Sequence, residues 1–341
     1  MDLICAATSA VERLKLPDEV TRAGISALVD RTRRRLNHVD PAYERLFVGE
    51  MEHYPIAVRP NAANAQHYEL PAEFFALVLG PRRKYSCCLY EDPAADLAAA
   101  EQAALAATAL HAGLADGQDI LELGCGWGSL SLWMAEHFPR ARITAVSNSH
   151  GQRRHIEAEA RRRGLHGLRV VTADMNLFDA RQRFDRIVSV EMWEHMSNWR
   201  ALMAHARRWL RDDGRLFLHV FSHRSAPYRF DAADPADWIA RHFFTGGIMP
   251  SHGMIRHLDT HFAVEKDWRW SGTHYRRTAE HWLANFDLRS EPIGAILQQV
   301  HGRQGALWHR RWRLFFLATA GLFGADRGET WGVSHYLLRP L

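Results

Sequence analysis

Between Asp119 and Val220 the hydrophobic positions keep changing period, and this alternation is the chain's clearest architectural signal. Asp119-Ile-Leu-Glu-Leu123 is a short apolar run opening onto a glycine-rich turn, and it predicts a buried strand. Leu130–His137 has helical spacing, Ala141–Ser147 is a second strand rich in β-branched residues, and Gln152–Arg163 is a charged helix. Leu168–Thr172 and Phe184–Val190 predict third and fourth strands, Arg200–Leu210 a helix, Asp212-Asp-Gly214 a turn and Arg215–Val220 a fifth strand. Strands alternating with helices predict an α/β fold of Rossmann-like type, with a mostly parallel central sheet and helices on both faces.

The flanks lack this rhythm. Val11 to Leu36 carries apolar residues at helical spacing, interrupted by Pro17 and Gly24, and Leu97–Leu114 is alanine-rich and helical. Residues 59–66 form a connector. Beyond about residue 224 the pattern breaks, and aromatic residues accumulate, Trp238, Trp268, Trp270, Trp282, Trp308, Trp312 and Trp331 among them. Most of these should be core. The expected division is a helical N-terminal extension (1–66), a ligand-binding core (67–224) and a region (225–341) that covers the sheet's ligand edge and completes the fold.

Composition narrows the partners. The chain has 341 residues, 47% hydrophobic and 24% charged, enough for a substantial core. The net charge of +4 comes almost wholly from arginine, since the lysines are Lys15, Lys84 and Lys266. So thin an excess argues against nucleic acid as partner; it would suit peripheral contact with an anionic membrane. Cys5, Cys87, Cys88 and Cys125 match neither a metal knuckle nor a disulfide framework, so no metal is expected. With no basic, apolar leader and no run of 18 apolar residues, a cytoplasmic protein without a transmembrane segment is expected, and a homodimer stays open.

The chemistry begins at Glu122-Leu-Gly-Cys-Gly-Trp-Gly128, where the first strand ends. In an open parallel sheet, ligands bind beyond the carboxyl ends of the strands. A phosphate-binding P-loop would end in Gly-Lys-Ser/Thr, but Gly128 is followed by Ser129-Leu130. A dinucleotide site would space its glycines as Gly-x-Gly-x-x-Gly and place an acid after the second strand; here Ala145-Val-Ser147-Asn-Ser149 has none. S-adenosylmethionine (SAM) needs close backbone approach, partners for its ribose and an acceptor for its adenine amine. Gly124, Gly126 and Gly128 supply the first, Ser147 and Gln152 the second, and Asp174 the third, with Met175 against the ring.

Several longer motifs resemble one family. His67-Tyr-Glu-Leu-Pro-Ala-Glu-Phe-Phe75, Lys84-Tyr-Ser-Cys-Cys88, the glycine loop, Ser147–Gln152 and Glu191-Met-Trp-Glu-His195 resemble the cyclopropane-fatty-acyl-phospholipid synthase superfamily of class I SAM-dependent methyltransferases. Asp237–Pro250, Arg313–Phe316 and Glu329–Leu338 bring the chain nearest the branch that contains coclaurine N-methyltransferase. The resemblance covers roughly residues 60–341. It implies cofactor contacts at Tyr85 and Ser86, an acid/base pair at Glu194 and His195, and acidic pocket residues at Glu191 and Glu69, beside Tyr68. The cyclopropane branch holds a bicarbonate as base, and Cys87, Glu194, His219 and Tyr275 match that set as well, with Phe221 where an aliphatic residue is usual.

If a helix starts at Glu191, Glu194 and His195 share its face, three and four residues on. Acids there could simply complement a helix dipole, and His219 could be an ordinary core histidine. As chemistry, acids would bind an ammonium, and a histidine titrating near neutrality would accept its proton. The leading expectation is methyl transfer to the nitrogen of a small amine. The alternatives are modification of an unsaturated lipid acyl chain using SAM and bicarbonate, and a SAM-binding protein without catalysis.

Overall fold

In a computed structural model, residues 12, 16–37, 39–40, 42–58, 70–234 and 237–341 are described. Among the described residues, four helices precede the sheet: α1 (Asp18–Leu36), α2 (Tyr43–Glu50), α3 (Ala72–Val78) and α4 (Leu97–Ala112). The alternating region gives β1 (Asp119–Leu123), α5 (Ser129–His137), β2 (Arg142–Ser147), α6 (His150–Arg162), β3 (Leu168–Thr172), β4 (Phe184–Val190), α7 (Trp199–Trp209) and β5 (Leu210–His223). The remainder forms β6 (Tyr228–Arg229), α8 (Trp238–His242), β7 (Ile248–Met249), β8 (Phe262–Ser271), α9 (Gly272–Leu288), α10 (Ser290–His301), α11 (Gly305–Gly324) and β9 (Trp331–Pro340).

Every residue of β1 is buried, as its unbroken apolar run requires for a strand covered on both faces. It lies between β2 and β4 in a seven-stranded sheet of order β3-β2-β1-β4-β5-β9-β8. The pairings from β3 to β5 are parallel, and β9 runs antiparallel to both β5 and β8. Strand order reverses between β2 and β4, flanking β1, which puts the switch point at the glycine loop.

Local chemistry sets the helix ends. Asp96 accepts from the Ala99 N–H at 2.8 Å to cap α4, and Gly113 (φ 61°) closes it. Pro17 precedes α1 as expected of a residue lacking an N–H, but Gly24 lies inside that helix without interrupting it. Asp212-Asp-Gly214 does not separate a helix from a strand: pairing steps from Phe184↔Leu210 to Arg186↔Arg215, so the turn is a bulge within one long β5. Val11 and the 59–66 connector lie outside the described residues.

On one face of the sheet, α3 and α9–α11 enclose an aromatic cluster. Phe74 packs on Trp312 with centroids 4.8 Å apart, and Phe75 on Trp127 at 4.8 Å, which ties the glycine loop to this C-terminal layer. Trp282, Trp312 and Trp331 are buried there as core. Among the described residues no helix is long and apolar enough to cross a membrane.

Candidate active site

Beyond β1 the backbone turns on Gly124, Gly126 and Gly128, all at positive φ (79°, 51° and 81°). A Cβ on Gly124 would come within 2.5 Å of the Met192 side chain, and one on Gly128 within 2.6 Å of Ile156; one on Gly126 meets nothing within 4 Å. The outer two glycines therefore let the loop seat against its neighbours, and the middle one keeps space open. That space is a narrow cavity of about 60 Å³, walled by Tyr85, Ser86, Glu122, Gly124, Gly126, Trp127 and Glu191, among others. Thr108, Trp127 and Ser129 also line it, and each has a buried polar atom with no protein partner (Oγ1, Nε1 and Oγ). Buried polar groups are normally satisfied, so orphans around a cavity point to a polar ligand. Burial pushes Glu122 up to about 7, against the hydrogen bond it accepts from Ser131.

Ser147 ends β2, Gln152 stands in the first turn of α6, and Asp174 and Met175 follow β3; none of the four lines that cavity. Ser147 donates to Gln152 Oε1 at 2.6 Å, which leaves Gln152 Nε2 buried and unpartnered. Asp174 Oδ1 accepts from the Asn176 backbone and side chain at 2.8 and 3.0 Å, and Met175 is buried in a cluster with Leu123, Val146 and Met192. A larger open cavity, about 590 Å³ between α3, α4 and α9, contains none of the expected site residues.

Glu191, immediately after β4, is a non-glycine residue at φ 47°. Such a conformation costs of order 1–3 kcal/mol and persists only where its surroundings impose it. Here its N–H donates to the His219 carbonyl at 2.8 Å. Its carboxylate is gripped from three elements: Oε1 accepts from the Cys87 N–H at 2.9 Å and lies 3.2 Å from His219 Nε2, and Oε2 accepts from the Tyr275 hydroxyl at 2.7 Å. The condition that a helix starts at Glu191 is not met. The left-handed residue is followed by a single 3₁₀ turn, Trp193–His195, so the three side chains share no helix face.

Glu194 is fully buried. Its Oε1 accepts from the Phe221 N–H at 2.6 Å, and its Oε2 has no partner. Burial, reinforced by the charge of Glu191, pushes its pKa well above the carboxylate range. Glu191 is raised by burial too, but the Lys84 ammonium and the Tyr275 and Cys87 donors oppose this. The His195 ring stacks on Phe244 (4.3 Å, 25°), and burial lowers its pKa to about 4. It is thus a neutral imidazole at pH 7, where the expectation was titration near neutrality.

Cys87 and Phe221 serve through their backbone N–H groups, and Tyr275 through its hydroxyl. Burial raises the Cys87 thiol well above its ordinary value and Cys88 to about 12, and both are free, neutral cysteines. Phe221 supplies an N–H that any residue could supply, while its ring packs on Phe244 and Phe323. Tyr275 stacks on Phe323 (4.3 Å). Tyr68 and Glu69 lie outside the described residues.

Sequence reasoning missed Lys84 as a site residue. It is buried, with Nζ donating to Ser86 Oγ at 2.5 Å and the Cys87 carbonyl at 2.7 Å. Glu101 fixes the same loop by accepting from the Arg82 and Lys84 N–H groups at 2.7 and 3.1 Å. Lysine's rarity in an arginine-rich chain was the available signal. Also missed were His335 and His111, which continue from His219. No group of three metal-ligating side chains occurs among the described residues.

The strand order, the antiparallel β9 and the glycine loop at the switch point define a class I methyltransferase fold. Over residues 57–331 the chain matches the family described as mycolic acid cyclopropane synthetase, and it belongs to that family. It is 34% identical over 289 residues to (S)-coclaurine N-methyltransferase of Thalictrum flavum subsp. glaucum, spanning 83% of this chain and 80% of that one. To the cyclopropane-fatty-acyl-phospholipid synthase of Escherichia coli (strain K12) it is 29% identical, over 79% of this chain and 66% of the synthase. A crystal structure of coclaurine N-methyltransferase bound to N-methylheliamine and SAH superposes with a TM-score of 0.92 at 30% identity, covering 99% of this chain and all of that one (100%). The chain is a SAM-dependent methyltransferase.

Proposed function

We propose that this enzyme transfers the methyl group of SAM to the nitrogen of a small amine. The observation that carries this reading is the Glu191 carboxylate, seated on the Cys87 N–H, His219 and Tyr275. Those donors, with the Phe221 N–H, are the ones a bicarbonate would require. Here they are bonded to Glu191 and Glu194, so an anion from solution would have to compete with the Glu191 carboxylate for the Cys87 N–H, His219 and Tyr275. No step is routed through bicarbonate. A fixed carboxylate suits a cationic amine better than an alkene.

The residues around the glycine loop fit SAM: the open space at Gly126, and the unpartnered Thr108, Trp127, Ser129 and Gln152 atoms. When bound, SAM supplies an activated sulfonium methyl. The protein must then hold the nitrogen close to it and remove the ammonium proton first. Glu191 serves as the fixed counter-charge. His195, unprotonated at pH 7, passes the ammonium proton on toward solvent without retaining it, since burial keeps its pKa at about 4, and Glu194, with its unpartnered Oε2, is the adjoining proton carrier. The nitrogen lone pair forms the new N–C bond, the S–C pair returns to sulfur, and one proton per turnover passes to solvent.

In the same reading, residues 67–224 bind SAM and 225–341 complete the amine pocket, and the enzyme works in the cytoplasm on a soluble substrate. The test is transfer from methyl-labelled SAM to a panel of secondary amines and to vesicles of unsaturated phospholipid. One added methyl on an amine, with unlabelled lipid, is expected. Label on acyl chains alone overturns the reading.

A further inference from the structure

Behind Glu191, His219 opens a row of histidines whose other two members the reaction as written does not use. His219 Nε2 faces Glu191 Oε1 at 3.2 Å, His219 Nδ1 lies 2.8 Å from His335 Nε2, and His335 Nδ1 lies 2.8 Å from His111 Nδ1. The row crosses three elements. His219 and His335 are directly opposed on β5 and β9, and His111 stands in the last turn of α4. The first two are completely buried; His111 is half-buried and stacked flat on Trp268 (3.9 Å, 3°). Around the row are Trp270, Phe217 and the Lys84 ammonium.

A neutral imidazole has one N–H and one bare nitrogen, so where both nitrogens are engaged the neighbours dictate the tautomer. Burial lowers all three histidines, and Lys84 adds to this at His219 and His335, so the neutral forms prevail. Two coherent arrangements exist, all donors toward Glu191 or all away from it. Glu191 already receives the Cys87 N–H and the Tyr275 O–H, and an anion there selects the inward set. His111 then donates from Nδ1 to His335, His335 from Nε2 to His219, and His219 from Nε2 to Glu191. With three donors aimed at it, Glu191 is held as a carboxylate.

We propose that His335 and His111 are positioning residues for methyl transfer, a two-histidine relay that locks His219 in its Nε2–H tautomer and so keeps Glu191 the anion that binds the amine. The proposal rests on the amine reading and divides the acids by role: Glu191 stays charged and Glu194 and His195 handle the proton. A plain structural role for a buried histidine pair would require no particular tautomer.

The tautomer is measured directly, without substrate, by long-range ¹H–¹⁵N spectra of the full chain labelled at histidine. His219 and His335 should both appear as Nε2–H tautomers, and His335→Phe should release His219 from that state. Kinetically, His335→Phe should raise the KM for the amine about tenfold and His111→Ala about threefold, with kcat changed less and SAH affinity unchanged. His335→Gln, which keeps an amide donor, should restore most of the loss. Should His335→Phe fail to fold, the half-buried His111→Ala carries the kinetic test. An Nδ1–H tautomer at His219 in the unmodified protein, or an unchanged amine KM in a folded variant, overturns the lock. If the unmodified protein methylates no amine, the functional reading falls, while the spectra still decide the lock.

Discussion

Replacing Glu191 with glutamine separates charge from shape at the centre of the site. The glutamine carbonyl can accept from the Cys87 N–H and His219 as Oε1 does, and its amide can donate to the Tyr275 hydroxyl, which accepts as readily as it donates. The variant loses charge-assisted bonds, but it also removes an acid that burial disfavours in its ionised form. These effects oppose each other, so stability should change by no more than about 1 kcal/mol, a shift of roughly 1–2 °C in the thermal midpoint of a chain this long. Amine binding has no such compensation. A hydrogen bond to a charged partner contributes about 1.5–3 kcal/mol, so kcat/KM for a secondary amine should fall roughly 10- to 150-fold.

SAH is the proper binding control, because it lacks the sulfonium charge that Glu191 would also attract. Its affinity, measured by calorimetry, should stay within about threefold. Glu191→Ala should behave differently, leaving the Cys87 N–H and His219 facing nothing at a cost of about 1–3 kcal/mol for each unpaired group. The reasoning is refuted if Glu191→Gln drops the midpoint by more than about 6 °C, or if SAH affinity and activity fall together.

Three further outcomes follow from neighbouring groups. The Glu194 pKa in the folded state lies above its ordinary 4.5, so its contribution to stability is full below pH 4.5 and lost as pH rises through the raised value. Glu194→Gln should therefore match the unmodified midpoint near pH 4.5 and exceed it increasingly above; a pH-independent gap would contradict this. His195 and His223 are lowered by burial from 6.5 to about 4, so their contribution is full above pH 6.5 and lost as pH falls toward 4, by about 1.4 kcal/mol per unit each. Urea midpoints should fall between pH 6.5 and 4.5, and His223→Gln should flatten part of that slope. In the loop, Gly124→Ala adds a clash with Met192 to the positive-φ strain and should lower the midpoint the more, whereas Gly126→Ala carries that strain alone, roughly 1–2 kcal/mol, and should weaken SAH binding at least tenfold; equal effects on both properties at both positions would refute the division.

The sheet was legible because its signals are local. Leu168–Thr172 and Phe184–Val190 form the strands their apolar patterns predict, and the loop at Gly124–Gly128 follows a strand and precedes a helix. Glu191 was misread because Glu-x-x-Glu-His after a strand carries the signature of a helix start. The competing demand is tertiary: the His219 carbonyl on β5 takes the Glu191 N–H, and Met192 packs where a side chain at position 124 would stand. His335 carried no local signal at all. It sits within an apolar strand, and the partner that gives it meaning is 116 residues away. Asp212-Asp-Gly214 carried turn chemistry, yet a bulge satisfies the same residues without ending the strand.

The choice of acceptor was illegible for a related reason. Cys87, Glu194, His219 and Tyr275 fit the template for a base held by the protein equally well as residue types, and only their directions separate the two chemistries. An alkene acceptor becomes a carbocation after it takes the methyl, so its base must meet a proton that arises late and on carbon. An amine presents its proton and positive charge before transfer, so its acids must be in place at the start. Here one carboxylate is built into the chain, strained at φ 47° and held by donors from the 84–88 loop and α9, with His219 of β5 beside it. A second carboxyl lies beside it, its pKa raised by burial and by the Glu191 charge, with one oxygen unpartnered. That arrangement is complete before any anion arrives from solution, which is what an ammonium substrate needs and an alkene does not.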